Sequence, residues 1–230
     1  MDEKSYQEAS QDITDLKKKA SKYVKYRQPL PLTAPKARFP GFHQRVTKYK
    51  AGQIIVSGAL ALPADLILHE SVQMTLQDGV NLYSDIFLPS GFDNIESYFE
   101  EADRIPAIIA WSPYGKQQGT TLLDDFPMRM GVSKQDLSGL QKWEGPDPAR
   151  WCADGYAIIN PDIRGAYTSD GDCLVMGRQE AEDGAEFVEW VARQPWCNGK
   201  VALSGNSWLA MSQWSIGALR PKGLAALAPW

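Results

Sequence analysis

The sequence predicts an α/β fold whose sheet is mostly parallel and begins with an antiparallel hairpin. Two runs with strand-like composition, 72–76 and 82–88, flank Asp78-Gly79, a dipeptide typical of tight turns because glycine accepts a positive φ. The later apolar runs are short and nearly continuous, as in strands that are buried on both faces. Segments with helical spacing separate most of them, so we expect helices packed on the sheet.

Residues 1–65 differ in composition from the rest of the chain and are predicted to form a partly flexible N-terminal extension. Basic residues cluster between 17 and 27, and prolines between 29 and 35 favour extended backbone. The basic cluster lacks the bulky apolar face of a membrane-surface helix, so a solvated extension is expected instead. The folded domain is then expected to cover residues 66–230.

Four apolar runs after the hairpin are predicted as strands of the sheet. They are Ala107–Trp111, Tyr156–Asn160, Val201–Leu203 and Leu224–Ala228. The stretch 116–142, between the first two of these runs, contains proline and glycine without clear periodicity. We expect it to be a long loop near the carboxyl ends of the strands, where loops of this length are often functional.

Three segments are predicted as helices. Asp147 is expected to cap a short helix that has Pro148 in its first turn. Between 180 and 194 apolar residues recur at helical spacing, and the acidic residues among them, including Asp183, are expected to face away from the core. The segment 209–219 is apolar on nearly every side, which predicts a helix buried against the sheet.

Composition and charge exclude several classes of protein. The chain has 230 residues, of which 43% are hydrophobic and 23% charged, and its formal net charge is −4. These values are typical of a globular domain and offer no basic surface for nucleic acid. The charged start 1–4 does not resemble a signal peptide, and the longest apolar stretch, 54–64, is too short to span a bilayer. We therefore expect a cytoplasmic protein without a membrane segment.

The cysteines argue against a disulfide framework and against a zinc site. Cys152, Cys173 and Cys197 are odd in number and none belongs to a Cys-x-x-Cys pair. Buried free thiols are therefore expected at all three positions. No metal ion and no other cofactor is predicted.

Ser207 is the candidate nucleophile, because Gly205-Asn206-Ser207-Trp208 lies directly between a predicted strand and a predicted helix. A tight Gly-x-Ser turn projects the hydroxyl above the sheet and aims the amino terminus of the next helix at a reacting carbonyl. The backbone N–H of Trp208 is then placed to stabilise an oxyanion. The pentapeptide alone leaves open a serine that only caps a buried helix, since Leu209 stands where the general Gly-x-Ser-x-Gly pattern has glycine.

Several motifs in order along the chain resemble the cocaine esterase and Xaa-Pro dipeptidyl-peptidase family of α/β-hydrolases. They are Met74–Val80, Trp111–Lys116, Pro161–Gly165, Ser169–Asp172, Gln194–Val201 and Gly205–Trp208. The resemblance implies that Ser207 forms an acyl-enzyme and that the Tyr114 hydroxyl is the second oxyanion donor. It also accounts for Ala210, because the family has a small residue at that position. The charged residues Asp162 and Arg164 are expected to form structural ion pairs or loop hydrogen bonds, not to react.

The resemblance also implies that residues 66–230 are the N-terminal half of the catalytic domain, an incomplete α/β-hydrolase fold. The triad order in these enzymes is Ser, then Asp or Glu, then His. Both histidines, His43 and His69, precede Ser207. The acid, the base, a cap, the later strands and a C-terminal β-domain are therefore expected outside this chain. By itself the chain is expected to be nearly inactive.

Two functions are compatible with this sequence. The first is a serine hydrolase that acts on a small ester, an amide or a short peptide and needs the remainder of the fold, from a complementing chain or a homo-oligomer if not from its own. The second is a non-catalytic hydrolase fragment that binds a partner chain. The sequence does not separate esterase from peptidase.

Overall fold

The computed structural model describes residues 30–116 and 123–230. The chain divides into two compact units, Met1–Ala37 and Arg38–Trp230. In the first unit the described part contains a 3-10 turn at Pro35–Ala37, and the basic cluster lies outside the described residues. Within the second unit, a short strand before residue 65 pairs with the first strand of the hairpin.

The second unit contains a seven-stranded mixed sheet in the order β1-β2-β3-β5-β4-β6-β7. The strands are β1 Val46–Tyr49, β2 Leu66–Thr75, β3 Asn81–Pro89, β4 Ile105–Ile109, β5 Ala157–Asp162, β6 Cys197–Gly205 and β7 Leu224–Pro229. Neighbours are antiparallel from β1 through β3 to β5 and parallel from β5 through β4 and β6 to β7. The predicted fold class is confirmed, as is the hairpin at Asp78-Gly79, where Gly79 has φ 88°.

Three α-helices cover the described part of the sheet: α1 Pro148–Ala153, α2 Arg178–Ala192 and α3 Trp208–Ala218. The predicted cap of α1 is confirmed, because the Asp147 carboxylate accepts a hydrogen bond from the Ala149 amide at 3.0 Å. No helix within residues 30–116 and 123–230 is long and apolar enough to cross a bilayer.

The core lies on both faces of the sheet, which explains why the central strands are apolar at consecutive positions. On β4 the Ile109 side chain packs in the cluster that contains Phe187 of α2 and Ile216 of α3. The next residue back, Ile108, packs in the opposite cluster, which contains Cys152 of α1. A strand with helices on both sides has no face left for polar residues.

Two expectations from the sequence are wrong. Asp183 is 3% exposed and does not face solvent, because its carboxylate pairs with Arg164. Cys173 is exposed, while the other two thiols are buried as predicted. The helix α3 is buried against the sheet through Ile216, as predicted, and its Trp214 side chain is 67% exposed.

Candidate active site

Ser207 occupies the sharp turn between β6 and α3, at the carboxyl ends of the parallel strands. Its backbone has φ 54° and ψ −114°, a conformation that residues with a side chain rarely adopt. Such strain costs about 1–3 kcal/mol and persists where the surrounding structure enforces it, often at functional sites. The geometry is that of a strand-turn-helix elbow that exposes a nucleophile, not that of an ordinary helix cap, and the Ser207 side chain makes no capping hydrogen bond.

Gly205 permits this turn because it has no side chain. Its φ is 141°, and a Cβ there would lie 2.4 Å from Leu209 Cδ2 and 2.8 Å from the Glu144 carbonyl oxygen. Both distances are far below van der Waals contact. The glycine therefore lets the first turn of α3 and the chain at Glu144 approach the end of β6.

Replacing Gly205 with alanine is expected to lower the free energy of unfolding by about 1–3 kcal/mol, the usual cost of an overpacked site. Gly79→Ala is the matched control, because Gly79 also has positive φ but has nothing within 4 Å of the added methyl. Urea denaturation gives the free energy of unfolding of both variants, and the difference between their losses is the steric contribution at Gly205. Equal destabilisation by the two substitutions would contradict the steric explanation.

Tyr114 and Trp208 lie next to Ser207, so the structure brings together the three residues that the sequence singled out. The Tyr114 hydroxyl shares hydrogen bonds with the Ser207 hydroxyl and with the Glu144 carboxylate. Its ring meets the Trp208 ring edge-on, with the centroids 6.3 Å apart. Burial and the Glu144 carboxylate raise the pKa of Tyr114, so this phenol is protonated and able to donate at neutral pH.

Trp208 is the first residue of α3, and helix geometry leaves its backbone N–H without an acceptor inside the helix. The indole of the same residue is fixed from α2, because Nε1 donates to Glu180 Oε1 at 2.7 Å. Glu180 is 6% exposed, and burial raises the pKa of its carboxyl. The sequence did not predict this contact between Glu180 and the elbow.

The segment Lys142–Gly145 connects the elbow to the neighbouring strands, and the sequence did not single it out. The Lys142 side chain is fully buried, and its amine donates to the carbonyl oxygens of Ser112 at 3.0 Å and Pro161 at 2.6 Å. Two residues later the Glu144 carbonyl oxygen accepts a hydrogen bond from the Asn206 amide at 3.1 Å. The segment thereby ties the ends of β4 and β5 to the turn that carries Ser207.

Four charged side chains are buried beneath this end of the sheet: Asp85, Lys116, Lys142 and Asp162. The Lys116 amine lies 3.5 Å from Asp162 Oδ2, and the Lys116 backbone amide donates to Asp162 Oδ1 at 2.7 Å. Burial raises the pKa of Asp85 to about 7 and lowers that of Lys142 to about 7. Asp162 therefore lies in an ion pair, as its position at a strand end suggested.

Arg164 forms a separate ion pair that joins the hairpin to α2. Its guanidinium contacts Asp78 at the hairpin turn and Asp183 on α2, each at 2.7 Å. The hydrogen bond with Asp183, together with that of Asp78 and the charges of both carboxylates, raises the pKa of Arg164 and outweighs the opposing effect of burial. The predicted structural role of this arginine fits these contacts.

A cavity of about 390 Å³ lies beside the elbow and falls within the size range of small-molecule sites. Glu144 and Asn206 line the side of the cavity nearest Ser207, and Met130, Trp143 and Trp230 contribute apolar walls. Asp124, which lines it as well, pairs with Arg129 and Lys134. The described residues of the predicted loop, 123–142, therefore contribute to the wall of this cavity.

Neither histidine is placed to serve Ser207 as a base. His69 lies on β2, four strands away from β6, which corresponds to about 19 Å across the sheet. Its Nε2 atom lies 2.8 Å from the Phe92 carbonyl oxygen, and the ring is buried. His43 precedes the still more distant edge strand β1. Within the described residues, no group of three or more His, Cys, Asp and Glu side chains could hold a metal ion.

A family model described as X-Pro dipeptidyl-peptidase (S15 family) matches residues 78–230. A proposed serine esterase of Mycobacterium bovis is 35% identical over 141 residues, which cover 61% of this chain and 20% of that protein. The cocaine esterase of a Rhodococcus species is 29% identical over 160 residues, which cover 69% of this chain and 22% of the esterase. The chain thus spans about a fifth of the length of these curated relatives.

The solved structure of a CocE/NonD family hydrolase from Staphylococcus aureus superimposes on this chain with a TM-score of 0.58 at 29% sequence identity. The superposition covers 71% of this chain and 27% of that hydrolase. The resemblance expected from the ordered motifs is therefore confirmed, and with it the hydrolase fold. The chain belongs to the X-Pro dipeptidyl-peptidase (S15) family of α/β-hydrolases.

Proposed function

We propose that this chain supplies the nucleophile and the oxyanion hole of a serine hydrolase that acts on an acyl ester or amide. The observation that carries the proposal is the strained Ser207, whose hydroxyl is hydrogen-bonded to Tyr114 at the amino terminus of α3. Because the relatives include esterases and a peptidase family, the substrates to test are small esters, amides and short peptides. The cavity beside Glu144 has room for a group of such a substrate.

In the proposed mechanism the Ser207 Oγ attacks the substrate carbonyl carbon as a base removes the hydroxyl proton. The negative charge that develops on the carbonyl oxygen accepts hydrogen bonds from the Trp208 backbone N–H and the Tyr114 O–H. The tetrahedral intermediate expels the alcohol or amine, which takes up the proton, and leaves an acyl group on Ser207. Water then attacks the acyl carbonyl and releases the acid.

The base is proposed to come from outside residues 1–230. Neither of the two histidines reaches Ser207, and related enzymes place the acid and the histidine after the nucleophile. Residues 1–230 alone are therefore proposed to be nearly inactive and to gain activity with the remaining part of the fold, a complementing chain or a homo-oligomer. Met211 and Trp214 are three residues apart on α3 and both exposed, and neighbouring exposed apolar side chains on one helix face support a further packed layer on this side.

Trapping the acyl-enzyme tests this proposal directly. The active form of the protein is mixed with p-nitrophenyl acetate and quenched in acid within milliseconds, and its mass is measured both intact and after digestion. One acetyl group on the peptide that contains Ser207, together with a burst of nitrophenol, is the expected result. Turnover that leaves Ser207 unacylated, also with a hindered ester such as p-nitrophenyl pivalate whose deacylation is slow, would mean that the reaction does not pass through an acyl-enzyme on Ser207.

Tyr114→Phe is expected to lower kcat by about 10²–10³-fold in the active form, the usual effect of removing one oxyanion donor. KM is expected to change little, because the hydroxyl acts on charge that appears only in the transition state. Tyr156→Phe serves as a control, since Tyr156 packs against Trp151 at the start of β5, far from the elbow. A Tyr114→Phe enzyme with unchanged kcat would remove Tyr114 from the oxyanion hole.

The alternative function is a non-catalytic fragment that binds a partner chain, and the distance of both histidines from Ser207 favours it for residues 1–230 in isolation. Ester hydrolysis by this chain and by its Ser207→Ala variant separates the two functions. A rate that depends on Ser207 would exclude the fragment. Equal background rates, in this chain and in every longer or complemented form, would support it. For both functions we propose the cytoplasmic location that the sequence predicts.

A further inference from the structure

The Glu144 side chain contacts the hydroxyl of Tyr114, the proposed side-chain donor of the oxyanion hole. Its carboxylate accepts hydrogen bonds from the Tyr114 hydroxyl and from the Trp143 side chain. Its second oxygen, Oε2, is buried and has no hydrogen-bond partner. The residue also has φ 60°, and its carbonyl oxygen holds the Asn206 amide. Strain and an unsatisfied carboxylate oxygen together indicate a position that serves more than packing.

The Tyr114 hydroxyl has a single proton, and two acceptors compete for it. When Glu144 is ionised, the carboxylate takes the Tyr114 O–H, and the Ser207 hydroxyl donates to the Tyr114 oxygen. An oxyanion in this arrangement receives the Trp208 N–H alone and lies close to a second negative charge. When Glu144 is protonated, its own O–H can donate to Tyr114 Oη, and the Tyr114 proton is free to turn to the oxyanion.

We propose that Glu144 is a positioning residue that sets the direction of the Tyr114 hydroxyl, so that the oxyanion hole is complete when Glu144 is protonated and weakened when it is ionised. The proposal rests on the proposed function, because it takes Tyr114 as the second oxyanion donor. No covalent change is involved. The proton on Glu144 comes from water and returns to it.

Among the described residues, the other charged groups near Glu144 are engaged with partners other than the Tyr114 hydroxyl. The Lys142 amine is directed to the carbonyl oxygens of Ser112 and Pro161. From the segment 123–136 that lines the same cavity, Asp124 engages Arg129 and Lys134. From α2, Glu180 is bonded to the Trp208 indole. Burial raises the pKa of Glu144, which extends the protonated form toward neutral pH.

The first experiment measures the hydrogen bond without activity. Residues 1–230 are labelled with ¹³Cζ-tyrosine, the Tyr114 resonance is assigned with Tyr114→Phe, and its chemical shift is followed from pH 4 to pH 8. The shift is expected to follow one ionisation, to become flat in Glu144→Gln and to be retained in Asp124→Asn, which removes the other carboxylate that lines the cavity. A flat resonance in the parent chain, or a titration that survives Glu144→Gln, would overturn the proposal.

The second experiment measures the pH profile of kcat in the active form. The rate of the parent is expected to fall as pH rises through the pKa of Glu144, because the ionised carboxylate withdraws the Tyr114 proton. Glu144→Gln can donate an amide N–H to Tyr114 and is expected to remove this fall and to be about tenfold faster at pH 8. Glu144→Ala, which supplies neither donor nor acceptor, is expected to be slower than Glu144→Gln.

The two proposals fail in different ways. Turnover without an acylated Ser207 would contradict the proposed function, and the tyrosine titration would then test the contact between Glu144 and Tyr114 independently. An acylated Ser207 combined with a Glu144→Gln profile parallel to that of the parent ends the Glu144 proposal alone. A uniform loss of rate in Glu144→Gln at every pH would show a purely structural role and would overturn it too.

Discussion

Ser207→Ala is expected to lower the rate of ester hydrolysis by the active form about 10⁴-fold or more. Removal of the nucleophile ends covalent catalysis, and only the oxyanion hole and substrate binding contribute afterwards. Hydrolysis of p-nitrophenyl acetate measures the effect, and far-ultraviolet circular dichroism checks that the variant is folded. Alanine retains the Cβ of serine, so the backbone strain at φ 54° is unchanged and stability is expected to change little.

Ser212→Ala is the matched control for this prediction. Ser212 lies on the same helix, but its hydroxyl is buried and directed to the carbonyl oxygens of Trp111 and Leu209. Its loss is expected to affect stability more than catalysis. A Ser207→Ala protein that retains the parent rate would show that another group performs the reaction.

Asp162→Asn is expected to lower the free energy of unfolding by about 3–5 kcal/mol, since removing one partner of a buried ion pair leaves the other charge uncompensated. Both Asp162 and Lys116 are about 1% exposed at the side chain, and the buried amine of Lys142 lies in the same cluster. The remaining carboxyl, Asp85, has a raised pKa of about 7 and is a weak substitute. Urea denaturation measures the loss.

Asp124→Asn provides the comparison, because Asp124 also pairs with two basic side chains but is 49% exposed. Exposed ion pairs contribute little to stability, so this variant is expected to unfold close to the parent. Near-parental stability of Asp162→Asn as well would mean that the buried cluster is not a stabilising element of this end of the sheet.

The sequence predicted the sheet well, because its signals there are local. The Asp78-Gly79 turn placed the hairpin, and continuous apolar runs such as Tyr156–Asn160 marked strands that are buried on both faces. The strand β1 was missed and placed in the extension. It has four residues and little apolar character, and it is a strand because β2 offers an edge to pair with, which is a non-local cause.

The candidate site was predictable in part. Ser207 and the Trp208 N–H follow from a glycine-containing turn between a strand and a helix, while Tyr114 came from the family resemblance alone. Glu144 and Lys142 were not predicted, because their roles arise from contacts with residues distant in sequence. Asp183 was misplaced for the same reason, since an acidic residue on a helix looks exposed until its partner, Arg164, is known.

The role of Ser207 as nucleophile is tested most directly by labelling the active form with a fluorophosphonate probe, followed by mass spectrometry of the digested protein. We expect one adduct per active site, on the peptide that contains Ser207, with a loss of activity in proportion to labelling. No adduct is expected in Ser207→Ala. An adduct on a different residue that tracks the loss of activity, or a fully active protein that the probe does not label, would contradict the assignment of Ser207 as the nucleophile.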